Sequence, residues 1–214
     1  MSSSTPKTIA TTTLTGGQAA VAALQAEGTR HVFGLIGSAT MELFDGLYDA
    51  SSDIRFIGVR DERTGTHMAD AYARVSGEVG VILAGQNGPG ATNLTTGLAQ
   101  AKAAYSPVVS IAGMLSTQHV YRDAFQEVDQ QALFTPVTKK TWTVPSTDRV
   151  PELFREAFRT ALSPRRGPVQ LNLPRDVLAG SADFEPFQTP DQYRPLHLPA
   201  GANDAIAAAA AMLS

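Results

Sequence analysis

The residue in this sequence whose surroundings most clearly indicate chemistry is Glu62. It follows a short apolar run at residues 54–60 and opens a segment with helical periodicity, so it stands where a strand ends and a helix begins. The tetrapeptide NGPG, residues 87–90, occupies the corresponding place after the next apolar run, residues 79–85. In open α/β sheets, ligands bind outside the carboxyl ends of the strands. We therefore expect Glu62 and the tetrapeptide to lie on one ligand-binding edge.

The elements that must position these residues alternate along the chain. Apolar runs rich in β-branched residues predict strands, and amphipathic segments between them predict helices. Six strands are expected, at residues 31–37, 54–60, 79–85, 107–114, 140–144 and 167–174. This alternation predicts an α/β fold, a six-stranded parallel sheet with helices on both faces and right-handed crossovers. Local signals also predict Ser38 as a helix N-cap, Gly77 as a helix end and Pro89 in a first helical turn.

Changes in composition divide the chain. Residues 1–14 are rich in Ser and Thr and are expected to be a flexible lead-in, and the α/β domain is expected over residues 15–180. Residues 181–201 contain four prolines and no periodicity, which is typical of a linker. An Ala-rich helix in residues 202–214 is too short to be stable alone. We expect this helix to be the truncated start of a second domain, with a natural C-terminus as the alternative.

The composition argues against several other classes of function. The 214-residue chain is 43% hydrophobic, has a net charge of −3 and contains no cysteine. A thiol nucleophile and a cysteine-based zinc site are therefore excluded. The sequence has no basic stripe for nucleic acid, no run of ~18 apolar residues for a membrane span and no secretory signal core. These observations favour a cytoplasmic protein without nucleic-acid or membrane partners.

Taken together, the motifs resemble a known family. VRDERTGTHMADAYARVSG at 59–77, followed by GQNGPGATN at 85–93, resembles the N-terminal pyrimidine-binding domain of thiamine diphosphate-dependent enzymes of the acetolactate synthase type. AFQEVD at 124–129 and GPVQLNLPRDV at 167–177 strengthen the resemblance, which covers roughly residues 15–180. It implies the thiamine diphosphate-binding fold, with thiamine diphosphate as the cofactor.

For Glu62, the resemblance implies a contact with the aminopyrimidine ring of the cofactor. In the family a glutamate here hydrogen-bonds ring nitrogen N1′ and favours the imino tautomer, whose exocyclic nitrogen removes the proton from thiazolium C2. The structural alternative is a first-turn glutamate that is favoured by the helix dipole. The family usually has His-Glu-Gln where this chain has Asp61-Glu62-Arg63, so the substrate preference stays open.

The resemblance assigns further residues to the site. Residues implied to bind the cofactor beside Glu62 are Asn87, Gly88, Pro89, Gly90 and Asn93. Residues implied to lie near the substrate are Ile36, Gly37, Ser38, Phe125 and Gln126, the last two reaching in from a neighbouring subunit. Ordinary turns and a packed phenylalanine are the structural alternatives. We interpret His67 as a solvated or packed histidine and Arg122 as a surface charge.

Part of the expected cofactor site is missing from the chain. The family binds Mg²⁺ and the diphosphate through a Gly-Asp-Gly…Asn element in a separate domain, and no Gly-Asp-Gly occurs here. We therefore expect no metal ligands in this chain, Mg²⁺ bound by an absent domain, and FAD as a possible cofactor of the full-length protein. The family also implies a homodimer or homotetramer with its active sites between subunits. We expect the chain alone to be inactive, with apolar surface around residues 91–105 exposed.

Several functions fit this resemblance. The first is an acetolactate synthase-like enzyme that decarboxylates a 2-keto acid such as pyruvate and transfers the two-carbon unit to an acceptor. The pair Gln86-Asn87 is instead similar to sulfoacetaldehyde acetyltransferases, and simple 2-keto acid decarboxylation is a further alternative. A non-catalytic assembly or cofactor-sensing module is the alternative from another class. The presence of Glu62 argues against that module, because a purely structural domain needs no carboxylate there.

Overall fold

The computed structural model describes residues 10–196 and 201–213. In chain order its strands and α-helices are β1 (Thr12–Thr15), α1 (Gly16–Ala26), β2 (His31–Leu35), α2 (Met41–Asp49), β3 (Arg55–Gly58), α3 (Glu62–Ser76), β4 (Gly80–Ala84), α4 (Pro89–Asn93), α5 (Thr95–Ala103), β5 (Val108–Met114), α6 (Gln130–Phe134), β6 (Thr141–Thr143), α7 (Val150–Leu162), β7 (Val169–Pro174), α8 (Arg175–Ala179), β8 (Ser181–Phe184) and α9 (Asn203–Leu213). Gly77 ends α3 in the left-handed conformation, with φ of 76°, as predicted.

Six of the strands form one parallel sheet in the order β3-β2-β4-β5-β7-β6. The chain runs from β2 outward to β3 and then returns to place β4 on the other side of β2. The connection after β2 therefore runs toward one edge of the sheet, to β3, and the connection after β4 runs toward the other edge, to β5. A crevice forms at such a switch point, outside the carboxyl ends of the two strands, and it is where ligands bind in sheets of this kind.

Alternate side chains of the central strands enter two separate cores. Val81 and Leu83 of β4 pack with residues of α1, α2 and α7, whereas Ile82 and Ala84 pack with residues of α3, α5 and α6. This division follows from the two-residue period of a strand, which points successive side chains to opposite faces. Helices cover both faces of the sheet, so the predicted fold class is confirmed.

A second, two-stranded sheet corrects the predicted boundaries. β1 pairs antiparallel with β8, with Thr12 opposite Phe184 and Thr15 opposite Ser181. The predicted linker is therefore wrong at residues 181–184, and the predicted lead-in is wrong at residues 12–14. Short strands that are half exposed carry little periodicity, and their pairing depends on a distant segment. The rest of the lead-in to residue 9, and residues 197–200 of the linker, lie outside the described residues.

The segment after β8 packs back onto the end of α1. Arg194 Nη1 lies 2.8 Å from Glu27 Oε2, and the two side chains are 11% and 2% exposed. The Tyr193 hydroxyl also hydrogen-bonds the Glu27 carboxylate. Burial raises the pKa of Glu27, and burial together with the Glu27 carboxylate raises the pKa of the Tyr193 hydroxyl. The residues of α9, by contrast, are all exposed.

The apolar residues around 91–105 correct a further expectation. Ala91, Leu94 and Leu98 are each 0% exposed and pack in the core beneath α4 and α5. Tyr105 is the large apolar residue of this range that reaches the surface. The expected exposed patch is wrong because these helices turn their apolar face to the sheet. In the two described stretches of the chain, no helix has both the length and the apolar character that a membrane span requires.

Candidate functional site

Glu62 lies at the carboxyl edge of the sheet, as the first residue of α3. The Asp61 carboxylate caps this helix by accepting the backbone N–H of Arg63 at 2.9 Å, and it also pairs with the Arg63 guanidinium. Hydrogen bonds from Arg63 lower the pKa of Asp61 to about 2. Glu62 itself is 5% exposed, and its Oε2 accepts a hydrogen bond from Asn93 Nδ2 at 3.0 Å. The sequence thus places a buried, oriented carboxylate at this edge.

The turn after β4 packs its glycines against Glu62 and against the loop that carries Gln126. Gly88 has φ of 53°, and a Cβ added there would lie 2.3 Å from the Gln126 carbonyl oxygen. A Cβ added to Gly90 would lie 3.1 Å from Glu62 Oε1. Pro89 opens α4 at its first position, which confirms that prediction. A side chain at residue 90 would therefore crowd Glu62 Oε1 and the Gln86 side chain, so only glycine lets the turn lie this close to the carboxylate.

Four polar residues join the loops that follow β2, β4 and β5. Ser38 donates from its backbone N–H and its Oγ to Gln86 Oε1, at 3.2 and 3.0 Å. Gln86 Nε2 donates to Gln126 Oε1 at 2.6 Å, and Asn87 Nδ2 donates to the Gln126 carbonyl oxygen at 3.1 Å. These hydrogen bonds therefore join residues that lie 39 to 48 positions apart in the sequence. We call Ser38, Gln86, Asn87 and Gln126 the amide cluster.

The predicted role of Ser38 as a helix N-cap is wrong. Ser38 instead begins a short 3₁₀ turn at residues 38–40, and its neighbour Gly37 precedes that turn without a side-chain cap. A Cβ on Gly37 would lie 2.5 Å from the carbonyl carbon of Gly85, so these two glycines allow the loops after β2 and β4 to touch. The Ser38 hydroxyl finds its partner in Gln86, a long-range contact that local capping rules do not detect.

The remaining predicted residues lie on the surface. Ile36 and Phe125 are 68% and 84% exposed and are not part of the amide cluster. His67 and Arg122 are also exposed, so that of the two alternatives for His67 the structure shows the solvated one, and Arg122 lies at the surface as expected. Sequence reasoning noted Gln86 as part of the GQNGPGATN motif but did not assign it to the site. Its partners at Ser38 and Gln126 become visible only when the loops are assembled.

A cavity of about 500 Å³ opens beside the amide cluster, at the carboxyl ends of β5, β6 and β7. Asn87 and Gln126 line this cavity and also belong to the cluster. The other polar residues that line it are Thr117, Glu127, Asp129, Gln130, Gln131 and Thr143. Its polar lining therefore consists of amides, hydroxyls and two carboxylates, next to apolar residues such as Met114 and Val120. This mixture is typical of a small-molecule site.

Two acidic residues hold the loop between β5 and α6 over this cavity. Glu127 accepts the backbone N–H groups of Tyr121 and Ala124, at 2.5 and 3.0 Å. Asp176, at the start of α8, accepts the backbone N–H and the hydroxyl of Thr117. Tyr121 has φ of 64°, a left-handed conformation that costs free energy in a residue with a side chain. The Glu127 carboxylate offsets part of that cost by binding the Tyr121 N–H.

The loop should consequently loosen in acid. Backbone N–H donors, led by that of Tyr121, hold the pKa of Glu127 below its ordinary value of 4.5. A carboxyl whose pKa is depressed in the folded state stabilises above its unfolded pKa, and this stabilisation is lost as the pH falls through the folded pKa. We therefore expect the hydrogen-exchange protection of residues 117–127, corrected for intrinsic rates, to decrease when the pH is lowered to values below 4.5. Glu127→Gln should make protection low at every pH, while Glu185→Gln, in an exposed position, should behave as wild type.

The chain is similar in sequence to one family of known proteins. Residues 14–133 match the family model described as thiamine pyrophosphate enzyme, N-terminal TPP binding domain. The chain is 44% identical over 175 residues to a probable acetolactate synthase large subunit of Methanocaldococcus jannaschii, which covers 82% of this chain and 29% of that protein. It is 42% identical over 176 residues to the acetolactate synthase isozyme 2 large subunit of Escherichia coli, covering 82% and 32%. The chain thus spans about a third or less of the length of these curated relatives.

Proposed function

Because the chain belongs to the thiamine pyrophosphate enzymes, as their N-terminal TPP-binding domain, we propose that it is the pyrimidine-binding part of an acetolactate synthase-like enzyme. This enzyme decarboxylates a 2-keto acid such as pyruvate and transfers the two-carbon unit to an acceptor. The observation that carries the proposal is Glu62, a carboxylate 5% exposed and held by Asn93 at the ligand edge of the sheet. The identity to acetolactate synthase large subunits supports this choice of reaction.

The residues around Glu62 fit an aminopyrimidine ring. Asn93 Nδ2 donates a hydrogen bond to Glu62 Oε2. Among residues 10–196 and 201–213, no residue donates a hydrogen bond to Glu62 Oε1. Gly90 leaves the space beside Oε1 free of a side chain, so that a flat ring can approach the backbone. Glu62, Asn93 and the Asn87–Gly90 turn would together hold the ring. Glu62 Oε1 is thus the carboxyl oxygen that would hydrogen-bond a nitrogen of the ring.

The chemistry divides between the cofactor and the chain. When bound, thiamine diphosphate supplies the electron sink for cleaving the bond between the carbonyl carbon and the carboxylate of the keto acid. Glu62 would share a proton with a ring nitrogen of the aminopyrimidine and would thereby set the tautomer of that ring. Its burial excludes water that would compete for this proton. Asn93 restrains Oε2, which keeps the carboxyl group in one orientation.

Other parts of the proposed enzyme would supply the groups that this chain lacks. We place Mg²⁺ and the diphosphate on a separate domain, as the family resemblance implies, and FAD is the further cofactor that it allows. The cavity beside the amide cluster would receive the substrate. Because its lining contributes amides, hydroxyls and carboxylates, the positive charge for a keto-acid carboxylate would come from another part of the enzyme. A cytoplasmic homodimer or homotetramer would bring that part close, with the exposed Phe125 and Ile36 facing it.

Product analysis tests the proposed reaction. With thiamine diphosphate and Mg²⁺, the protein that carries this chain is expected to convert pyruvate into acetolactate and CO₂. Acetyl phosphate and sulfite from sulfoacetaldehyde and phosphate would instead identify a sulfoacetaldehyde acetyltransferase, and acetaldehyde without a condensation product would identify a decarboxylase. Cofactor binding without any turnover would support the non-catalytic module. Each of these other outcomes would contradict the proposed activity.

A further inference from the structure

Gln86 lies between the loop after β2 and the loop after β5, and it bonds to both. Its Oε1 accepts the backbone N–H and the hydroxyl of Ser38, at 3.2 and 3.0 Å. Its Nε2 donates to Gln126 Oε1 at 2.6 Å and to Asn87 Oδ1 at 3.3 Å. Both ends of the amide are thus used, one toward each loop. The side chain is partly buried, which protects these bonds from competing water.

Gln126 needs such support because its backbone is strained. Its φ is 63°, and its carbonyl oxygen lies against Gly88, where an added Cβ would come within 2.3 Å. Asn87 holds this carbonyl group at 3.1 Å, and Gln86 holds the side-chain amide. The neighbouring Phe125 is 84% exposed, so packing of that side chain contributes little. The position of Gln126 over the cavity therefore depends on hydrogen bonds from the two residues that precede Gly88.

We propose that Gln86 is a positioning residue that ties the loop carrying Phe125 and Gln126 to the loop carrying Gly37 and Ser38. Through this tie it holds Gln126 at the edge of the 500 Å³ cavity and sets how far the two loops separate. The inference about the loops rests on the distances alone. Its consequence for substrate binding rests, in addition, on the proposed function.

Hydrogen exchange of this chain tests the tie directly. Gln86→Met keeps the length of the side chain but removes its donor and its acceptor. We expect exchange of the amides at 122–128 and at 37–40 to accelerate by about tenfold, the order expected when hydrogen bonds of this kind are lost. Gln100→Met, at an exposed position on α5, is the matched control and should leave both segments unchanged. Equal protection in wild type and Gln86→Met would overturn the proposal.

A conservative variant separates positioning from a general loss of stability. The carboxylate of Gln86→Glu can still accept from Ser38, and it can accept from Gln126 once the Gln126 amide turns its Nε2 toward residue 86. We therefore expect Gln86→Glu to restore most of the protection that Gln86→Met loses. If Gln86→Met does not fold, Ser38→Ala replaces it, because Ser38 is exposed and its hydroxyl contributes one of the bonds. Loosening at 122–128 in Ser38→Ala would support the tie, and its absence would contradict it.

Kinetics of the whole enzyme test the consequence for substrate. Gln86→Met should raise KM for pyruvate by about five- to tenfold, as for a displaced hydrogen-bonding loop, and should leave the Kd for thiamine diphosphate within about twofold because Glu62 and Asn93 are untouched. An unchanged KM together with a loosened loop would overturn the link to substrate while leaving the tie intact. If wild type does not act on pyruvate, the proposed function fails, and the exchange experiment still decides whether Gln86 joins the loops.

Discussion

Replacing Glu62 by Gln is expected to slow exchange of the C2 proton of bound thiamine diphosphate by on the order of 10² or more, the usual effect of losing a general acid–base contact. The glutamine has nearly the same shape, and its carbonyl oxygen can still accept the Asn93 bond seen at 3.0 Å. The glutamine amide cannot exchange a proton with a ring nitrogen, so the imino tautomer of the aminopyrimidine is no longer favoured. Quenched proton exchange in D₂O, followed by NMR of the cofactor, measures this rate in the whole enzyme.

Glu152→Gln is the matched control for this experiment. Glu152 also lies in the first turn of a helix, α7, but its side chain is 52% exposed and pairs with Arg149. If Glu62 were merely a first-turn carboxylate favoured by the helix dipole, both substitutions would cost a few tenths of a kcal/mol in stability and neither would alter the exchange rate. A C2 exchange rate in Glu62→Gln equal to that of Glu152→Gln would therefore contradict the role assigned to Glu62.

Replacing Gly88 by Ala is expected to destabilise the fold and to displace Gln126. With φ of 53° and ψ of −111°, Gly88 lies in a backbone region that strains an alanine, at a cost of about 1–3 kcal/mol. The added Cβ would also meet the Gln126 carbonyl oxygen at 2.3 Å, and relief of such overpacking typically costs a further ~1–3 kcal/mol. Denaturant unfolding of the chain measures the total, and hydrogen exchange at residues 122–128 shows where the backbone moves.

Gly77→Ala is the comparison in which a glycine of positive φ is replaced without a steric contact. Gly77 has φ of 76°, and a Cβ added there meets nothing within 4 Å. Its substitution should therefore destabilise the chain through backbone strain alone and should leave exchange at residues 122–128 as in wild type. Equal changes in the free energy of unfolding for Gly88→Ala and Gly77→Ala would show that the contact between Gly88 and Gln126 is not tight in solution.

The sheet illustrates what local sequence determines. Each central strand is a short, continuous apolar run, such as residues 80–84, whose five residues are all buried. The helices between the strands have one apolar face, and both patterns lie within a few neighbouring residues. The pairing of β1 with β8 cannot be predicted from local patterns, because these strands are short, half exposed and about 170 positions apart. Their pairing is decided when the ends of the domain meet.

The sequence by itself determined which residues stand at the ends of strands, because a strand end is marked by its own apolar run and by the turn that follows. Glu62 and the Asn87–Gly90 turn were identified in this way. Only the tertiary structure decided which strand ends are neighbours, since the order β3-β2-β4 depends on how the whole chain crosses over. That order brings Ser38 to Gln86, 48 positions away, and the next loop brings Gln126 to the same amide. A hydrogen bond between distant segments forms only after the strands between them have packed, so Gln86 has no local signature of its role.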